Sequence, residues 1–327
     1  LPGPAPPGRM AAGGGAPGDE PAAKKHRDGR GEGTVLADSP CVTLLPHGCR
    51  VLTVGDGDFV FSEAVADARR PLTPGSLVAT NLDTEEEEVA KYASAAARLD
   101  RLRAAGAEVL FGVDATSLSA GPLRGQAPFD RIVFNFPLLP HALIQRPGTA
   151  APDLHLENRA MLVAFLRGAP ALLARDGLVV VASKDCAPYS WWRFEEMPRW
   201  AGGELALAGV LPWAITEYPR LYDGPCNVNR DAAVKPTDAA VFAFARSGCH
   251  VFPLSQWCPA YVGAHPTAPP PGPHACPVCR PGGLSLCSAR ELAAHEAGRI
   301  HKKRAALERR WAAWGRGSDA GGDAAGD

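Results

Sequence analysis

The sequence predicts an α/β fold, a mostly parallel sheet with helices on both faces, followed by a small unit built around a metal. Three observations carry that expectation. Short β-rich runs alternate with helical stretches from residue 51 to residue 183. The first run, VLTV at 51–54, ends at Gly55-Asp56-Gly57-Asp58-Phe59 and opens directly into a helix. Near the C-terminus, Cys276-Pro-Val-Cys279 precedes a pair of histidines.

Residues 1–40 are Gly, Pro and Ala-rich and are expected to be a disordered tail, because they hold too little apolar surface to offset the entropy of ordering. Within them, Lys24-Lys25-His26-Arg27 is either a solvated charge run or a nuclear-address or RNA-tethering patch. The start at Leu1, with no initiator methionine, suggests a truncated chain. A first domain is expected over 41–250. Its pattern predicts strands at 51–55, 77–82, 107–113, 131–136 and 178–183, with helices at about 60–69, 85–105 and 157–174. Strands joined by helical crossovers pair in parallel. Pro170 should kink or end the third helix. Two more strands are expected at 205–211 and 239–245, joined by a segment containing YPRLYDGPCNVNRDAAVKP. That segment is too long for a tight turn and reads as a functional loop or a surface insertion. A Pro-rich linker follows at 251–274, then the Cys/His unit at 275–312 and a disordered tail at 313–327.

A chain of 327 residues, 46% hydrophobic, can bury one enzyme-sized core plus an appendage. Its net charge of -1 conceals two opposed regions: EEEE at 85–88, and eight Lys and Arg against three Glu between Arg290 and Arg316. The second suits a polyanion. Nine cysteines, with neither an apolar leader nor a hydrophobic run near 18 residues, argue against a secreted disulfide scaffold and a membrane span, and for a reducing compartment.

Three ligands compete for the glycine turn. A dinucleotide fingerprint needs a third glycine where Val60 stands, and a nucleoside-triphosphate loop needs Gly-Lys-Ser/Thr, which is absent. S-adenosylmethionine remains, since it lies against a G-x-G turn without a pyrophosphate cradle. An acid follows each of the next two strands: Asp83, placed to accept from ribose hydroxyls, and Asp114 with Ala115, placed to meet the adenine. Both acids could instead cap helices or turns. After the fourth strand, Asn135-Phe136-Pro137 offers an amide, a ring and a rigid carbonyl to a flat substrate, or else simply ends the strand with Phe136 in the core.

The segments VGDGDFVFS, NLDTEEEEVAKY, GVDAT, FDRIVFNFP, Glu157-Asn158, Lys184 and Pro188-Tyr189 resemble the 25S ribosomal RNA (uridine-N3)-methyltransferase-like domain, over residues 50 to about 247. The resemblance implies a Rossmann-like class I methyltransferase fold with S-adenosyl-L-methionine as donor. It assigns Gly55 and Gly57 of GDGDF, Asp83 of NLDTEEEEVAKY and Asp114 of GVDAT, in motifs that also hold Asp56, Asp58, Phe59 and Ala115, to the cofactor, and Asn135 to Pro137 to the substrate. The chain departs from the family after Pro137, where Leu138 replaces a frequent histidine and His141 comes four residues on. Methyl transfer from a sulfonium needs orientation and desolvation rather than a covalent nucleophile or a metal. Lys184, at the end of the fifth strand, would favour the anion of a uracil N3, or is a solvated surface charge.

Cys276, Cys279, His295 and His301 have the spacing of a tetrahedral structural zinc site, Cys-x2-Cys and His-x5-His. Ser288-Ala-Arg-Glu291 is a capping box starting a helix that would carry both histidines, on one helix or its distorted last turn. The unit resembles matrin-type zinc fingers, with Lys302-Lys303-Arg304 turned to RNA and Leu286 and Leu292 forming a small apolar core. The leading expectation is therefore a monomeric RNA methyltransferase acting on structured, ribosomal RNA in the nucleus or nucleolus, or in the cytoplasm. A non-catalytic RNA-binding protein on the same fold, and a methyltransferase of proteins or small molecules, stay open beside it.

Overall fold

The computed structural model describes residues 44–139, 153–184, 189–213, 221, 239–249, 273–279 and 284–318. Expectations concerning the N-terminal tail with Lys24 to Arg27, His141, Pro188, nearly all of the loop at 214–237, residues 251–272 of the linker and residues 319–327 lie outside the described residues.

Seven strands form one sheet in the order β3-β2-β1-β4-β5-β7-β6. They are β1 (Val51–Val54), β2 (Leu77–Thr80), β3 (Glu108–Leu110), β4 (Phe129–Asn135), β5 (Leu173–Lys184), β6 (Leu205–Pro212) and β7 (Ala239–Arg246). The first five run parallel, with Val51 opposite both Leu77 and Arg131, and Phe134 opposite Val181. β7 inserts antiparallel between β5 and β6, Phe242 pairing with Val181 and Val210. β1, β2 and the inner parts of β4 and β5 are buried on both faces, which is why they read as continuous apolar runs, whereas β3, at the edge, is half-buried. Alternate residues serve opposite cores: Val180 and Ala182 of β5 belong to one, Val179 and Val181 to the other.

The helices are α1 (Val60–Ala68), α2 (Glu85–Lys91), α3 (Ala95–Ala104), α4 (Leu154–Gly168) and the one-turn α5 (Met197–Trp200). The single helix expected at 85–105 is thus two. Tyr92 adopts φ -127, ψ 113 between them, and its hydroxyl comes 3.6 Å from where a Cβ on Gly57 would lie. α4 starts three residues before the expected 157, because Asp153 accepts the His155 amide as N-cap at 3.0 Å. It ends at Gly168, and Pro170 lies in the 3₁₀ turn that follows.

The C-terminal unit consists of the short hairpin β8 (Ala275–Cys276) and β9 (Leu284–Ser285), then α6 (Ala289–Ala297) and α7 (Arg299–Ser318). Ser288 caps α6 by accepting the Glu291 amide at 3.2 Å, while the Glu291 carboxylate reaches back to the Cys287 amide at 2.8 Å. The sheet, its helices and this unit lie together within Val35–Asp327, and α7 packs against α4.

Candidate active site and metal centre

The strand order reverses between β1 and β4, so the crevice beyond their carboxyl ends is where a doubly wound sheet receives a ligand. Gly55, at φ +59, sits so close to Phe134 that a Cβ would lie 3.1 Å from the ring; only glycine serves there. Phe59 closes the turn in the left-handed region at φ 61, is fully buried, and meets Phe111 edge to face at 5.8 Å.

Both acids of the turn face structural partners. Asp56 Oδ2 accepts the Ser62 amide at 2.7 Å and the Ser62 hydroxyl, tying the start of α1 to the turn. Burial pushes its pKa up to about 7 against the lowering effect of the Ser62 bonds. Asp58 pairs with Arg98 of α3 and accepts the Val60 amide at 3.2 Å.

Beyond β2, two residues that sequence reasoning missed stand beside Asp83. Asn81, 6% exposed, donates to the Gly57 carbonyl at 2.9 Å and to Glu88 Oε2 at 2.7 Å. Glu88 is fully buried, and its Oε1 has no partner among the described residues. Burial first, then the charge of Asp83, then those of Asp58 and Asp56, push its pKa up to about 8 against Lys91. Asp83 itself pairs with Lys91 at the surface. The signal for Glu88 lay in Thr84, whose capping box with Glu87 sets the rotational position of α2 and turns the fourth glutamate inward.

After β3, Asp114 Oδ1 accepts from the Thr116 amide at 2.7 Å and hydroxyl at 2.8 Å, capping the short turn that Ala115 begins. After β4, the Asn135 side-chain oxygen is buried with no partner among the described residues. Phe136 takes φ 47, packs edge to face on Trp213 at 5.1 Å, and donates its amide to the Ala182 carbonyl at 2.7 Å. A bulky residue in that region signals a constrained site. Pro137 is buried. The loop beyond it is pinned by Asn158 of α4, which accepts the Leu139 amide at 2.8 Å and donates to Leu154 O at 2.7 Å. Lys184, half-buried, ends β5 opposite Ala239. Every residue expected to hold donor or substrate therefore lies at or just beyond the carboxyl end of one of the five parallel strands.

The Cys/His unit brings its four residues together. His301 Nδ1 lies 3.4 Å from Cys276 Sγ, 3.5 Å from Cys279 Sγ and 3.2 Å from His295 Nε2, and all four ligand atoms fall within 4.8 Å of one another. Metal bonds of about 2.3 Å to sulfur and about 2.0–2.1 Å to nitrogen at tetrahedral angles place S and N roughly 3.5 Å apart, and two nitrogens roughly 3.3 Å apart. The observed spacings match both. The histidines do not share one helix. Six residues along an unbroken helix rotate about 600°, leaving His295 and His301 on different faces. The chain breaks at Gly298, ψ 147, and α7 starts afresh to aim His301 back. A Cβ on Gly298 would meet the His295 carbonyl at 2.9 Å, so the break requires glycine. Leu286 and Leu292 are half-buried; the buried leucine here is Leu307 of α7.

A seven-stranded sheet with five parallel strands, reversal at β1/β4 and an antiparallel β7 between β5 and β6 is the class I methyltransferase fold. Residues 52–223 match the model of the BMT5-like family, described as rRNA (uridine-N3-)-methyltransferase BTM5-like, and the chain belongs to that family. It is 36% identical over 148 residues to heavy metal-associated isoprenylated plant protein 41 of Arabidopsis thaliana, covering 45% of this chain and 28% of that one. Over 171 residues it is 30% identical to the uncharacterized protein At4g26485 of Arabidopsis thaliana, covering 52% of this chain and 78% of that one. Among solved structures, TrmN from Thermus thermophilus aligns with 61% of this chain and 44% of its own, at 21% identity and a TM-score of 0.38.

Proposed function

We propose that the chain is an S-adenosylmethionine-dependent RNA methyltransferase acting on uridine N3 of ribosomal RNA, with a C-terminal zinc finger that holds structured RNA. The observation that carries the donor assignment is the crowding of four acidic side chains beside the glycine turn, two of them held from ionising by burial and by one another. Asp56, Asp58, Asp83 and Glu88 crowd together, and their mutual repulsion contributes to the raised pKa of Glu88. Such a site favours a cationic ligand over a pyrophosphate. The orphaned Glu88 Oε1 is a buried polar atom awaiting a hydrogen-bond partner beside the turn, and the orphaned Asn135 oxygen is one beside the acceptor, so the residues present fit the group.

Bound S-adenosylmethionine supplies a methyl group on a sulfonium. Asp83 and Glu88 would hold its ribose and charge, and Asp114 the adenine amino group. Asn135 orients the acceptor base, Phe136 and Pro137 fix the backbone around it, and Lys184 favours the N3 anion left when the uracil proton departs to water. Zinc on Cys276, Cys279, His295 and His301 sets the fold of the C-terminal unit and presents Lys302 and Lys303 to phosphates. On this reading the protein is a monomer of the nucleus, nucleolus or cytoplasm. No helix among the described residues is long and apolar enough to cross a membrane.

Calorimetry of the purified chain with S-adenosylmethionine tests the reading, together with elemental analysis. One donor and one zinc per chain are expected; no donor binding by folded, zinc-loaded protein defeats it.

A further inference from the structure

The finger is not merely tethered to the sheet. Arg159 of α4, fully buried, makes a two-pronged pair with Glu308 of α7 at 3.1 and 2.9 Å. Its guanidinium lies over Trp200 and Trp311, 4.9 and 5.1 Å from their ring centroids. Arg193 adds a 3.2 Å contact to Glu308, and Arg310 a 2.6 Å pair to Asp153. Paired, stacked and desolvated groups of this kind hold α7 in a defined place on α4.

Where the two helices meet, they enclose a groove of about 440 Å³, within the range of small-ligand sites. Its lining includes Trp191, His155, Leu307, Lys303, Arg310 and Asp153. The rings of His155 and Trp191 lie 5.7 Å apart and inclined by 60°. Trp192 Nε1 donates to His155 Nδ1 at 3.4 Å, which leaves Nε2 of a neutral imidazole as a donor. Asp153 is balanced by Arg310, and among the described residues Lys303 has no ion-pair partner. The groove is thus lined by aromatic, apolar and charged side chains, some from the methyltransferase fold and some from the finger.

It lies at the end of α4 that follows β4 and the candidate active site. His155 stands one helical turn from Asn158 on the same face of α4, and Asn158 holds the amide of Leu139, four residues past Asn135. We infer that this composite groove binds an unpaired nucleotide flanking the one to be methylated, its base against Trp191 and His155 and its phosphates on Lys303 and Arg310. The inference rests on RNA being the substrate. An unstacked base fits a pocket of this size, and aromatic platforms with cations are how proteins hold single-stranded RNA. The second face of the site then explains why the finger is docked rather than loose.

The test uses the full, zinc-loaded chain and a decauridylate oligonucleotide carrying one 4-thiouridine. Trp191→Ala should weaken oligonucleotide binding roughly 5- to 150-fold, the range of one lost base–aromatic stack, and Trp191→Phe should restore most of it. Lys303→Ala, an exposed change that leaves folding intact, should flatten the slope of log affinity against log salt by about 0.7. Photocrosslinks should fall on the peptides bearing His155, Trp191 or Lys303. Variants binding like the parent, crosslinks confined elsewhere, no oligonucleotide binding, or a decaglutamate peptide binding in its place would each overturn the inference. Donor affinity, read separately by calorimetry, should be unchanged in all three variants. Its absence from the parent counts against the methyltransferase reading, while Trp191-dependent oligonucleotide binding supports the groove in either case.

Discussion

Around the glycine turn, four acids crowd the ends of β1 and β2, and the two basic residues near them, Arg98 and Lys91, are already paired with Asp58 and Asp83. Across β4, at the start of α4 and along α7, the same edge of the molecule offers His155, Lys303 and Arg310 with exposed or half-buried aromatic surface. One half gathers acidic groups and the other basic ones, so on the proposed reading a sulfonium donor and an RNA acceptor would not compete for the same place.

The sharpest way to break the donor half is Gly57→Arg. At φ +37 and with the Tyr92 hydroxyl 3.6 Å from the new Cβ, donor binding should vanish in calorimetry; unchanged affinity would remove the glycine turn from the site. Glu308→Ala attacks the junction instead. It strands a buried guanidinium on Arg159, a loss of roughly 3–5 kcal/mol when a buried pair loses one partner. Since Glu308 is 17% exposed, the low end is expected, and melting should show it. Zinc removal should act in the same direction, lowering the stability of the sheet domain as well as that of the finger. A melt of the sheet domain unaffected by chelation would show that the two fold separately.

Asn135→Ala should leave donor and RNA affinity intact while turnover falls about 100-fold or more, the cost of a misplaced acceptor; full turnover would place the acceptor site elsewhere. Asp83→Ala should weaken the donor by about tenfold, one charge-assisted hydrogen bond of roughly 1.5 kcal/mol in a partly exposed site. Normal binding with an early melt would assign Asp83 to structure alone.

A further prediction concerns pH. Glu88 and Asp56 titrate near 8 and 7 in the folded chain, against about 4.3 and 3.9 unfolded. Between about pH 4 and 8 the native state therefore binds more protons than the unfolded state, and stability falls as pH rises through that window. Melting temperature should drop from pH 5 to pH 8, and Glu88→Gln should flatten the upper part of the drop. A flat profile in the parent would mean that Glu88 is not held protonated.

Much of this was legible beforehand. Parallel strands buried on both faces announce themselves as apolar runs, and the glycine turn, the acids after β2 and β3, and the Cys/His spacing need only local chemistry. What escaped depended on rotation and distance. Glu88 lies in a run of four glutamates that looks like a solvated face until the phase of α2 is known. The Arg159–Glu308 pair spans 149 residues, and no periodicity links Trp200 to Trp311. The six-residue step between the histidines already rules out one unbroken helix, but only the structure shows the break at Gly298.

The central claim is most directly tested by incubating the chain with total RNA and methyl-labelled S-adenosylmethionine and identifying the labelled nucleoside by mass spectrometry. Label in 3-methyluridine from ribosomal RNA, lost in Asn135→Ala, is the predicted result. Label in protein alone, or none from a chain that binds the donor, would contradict it.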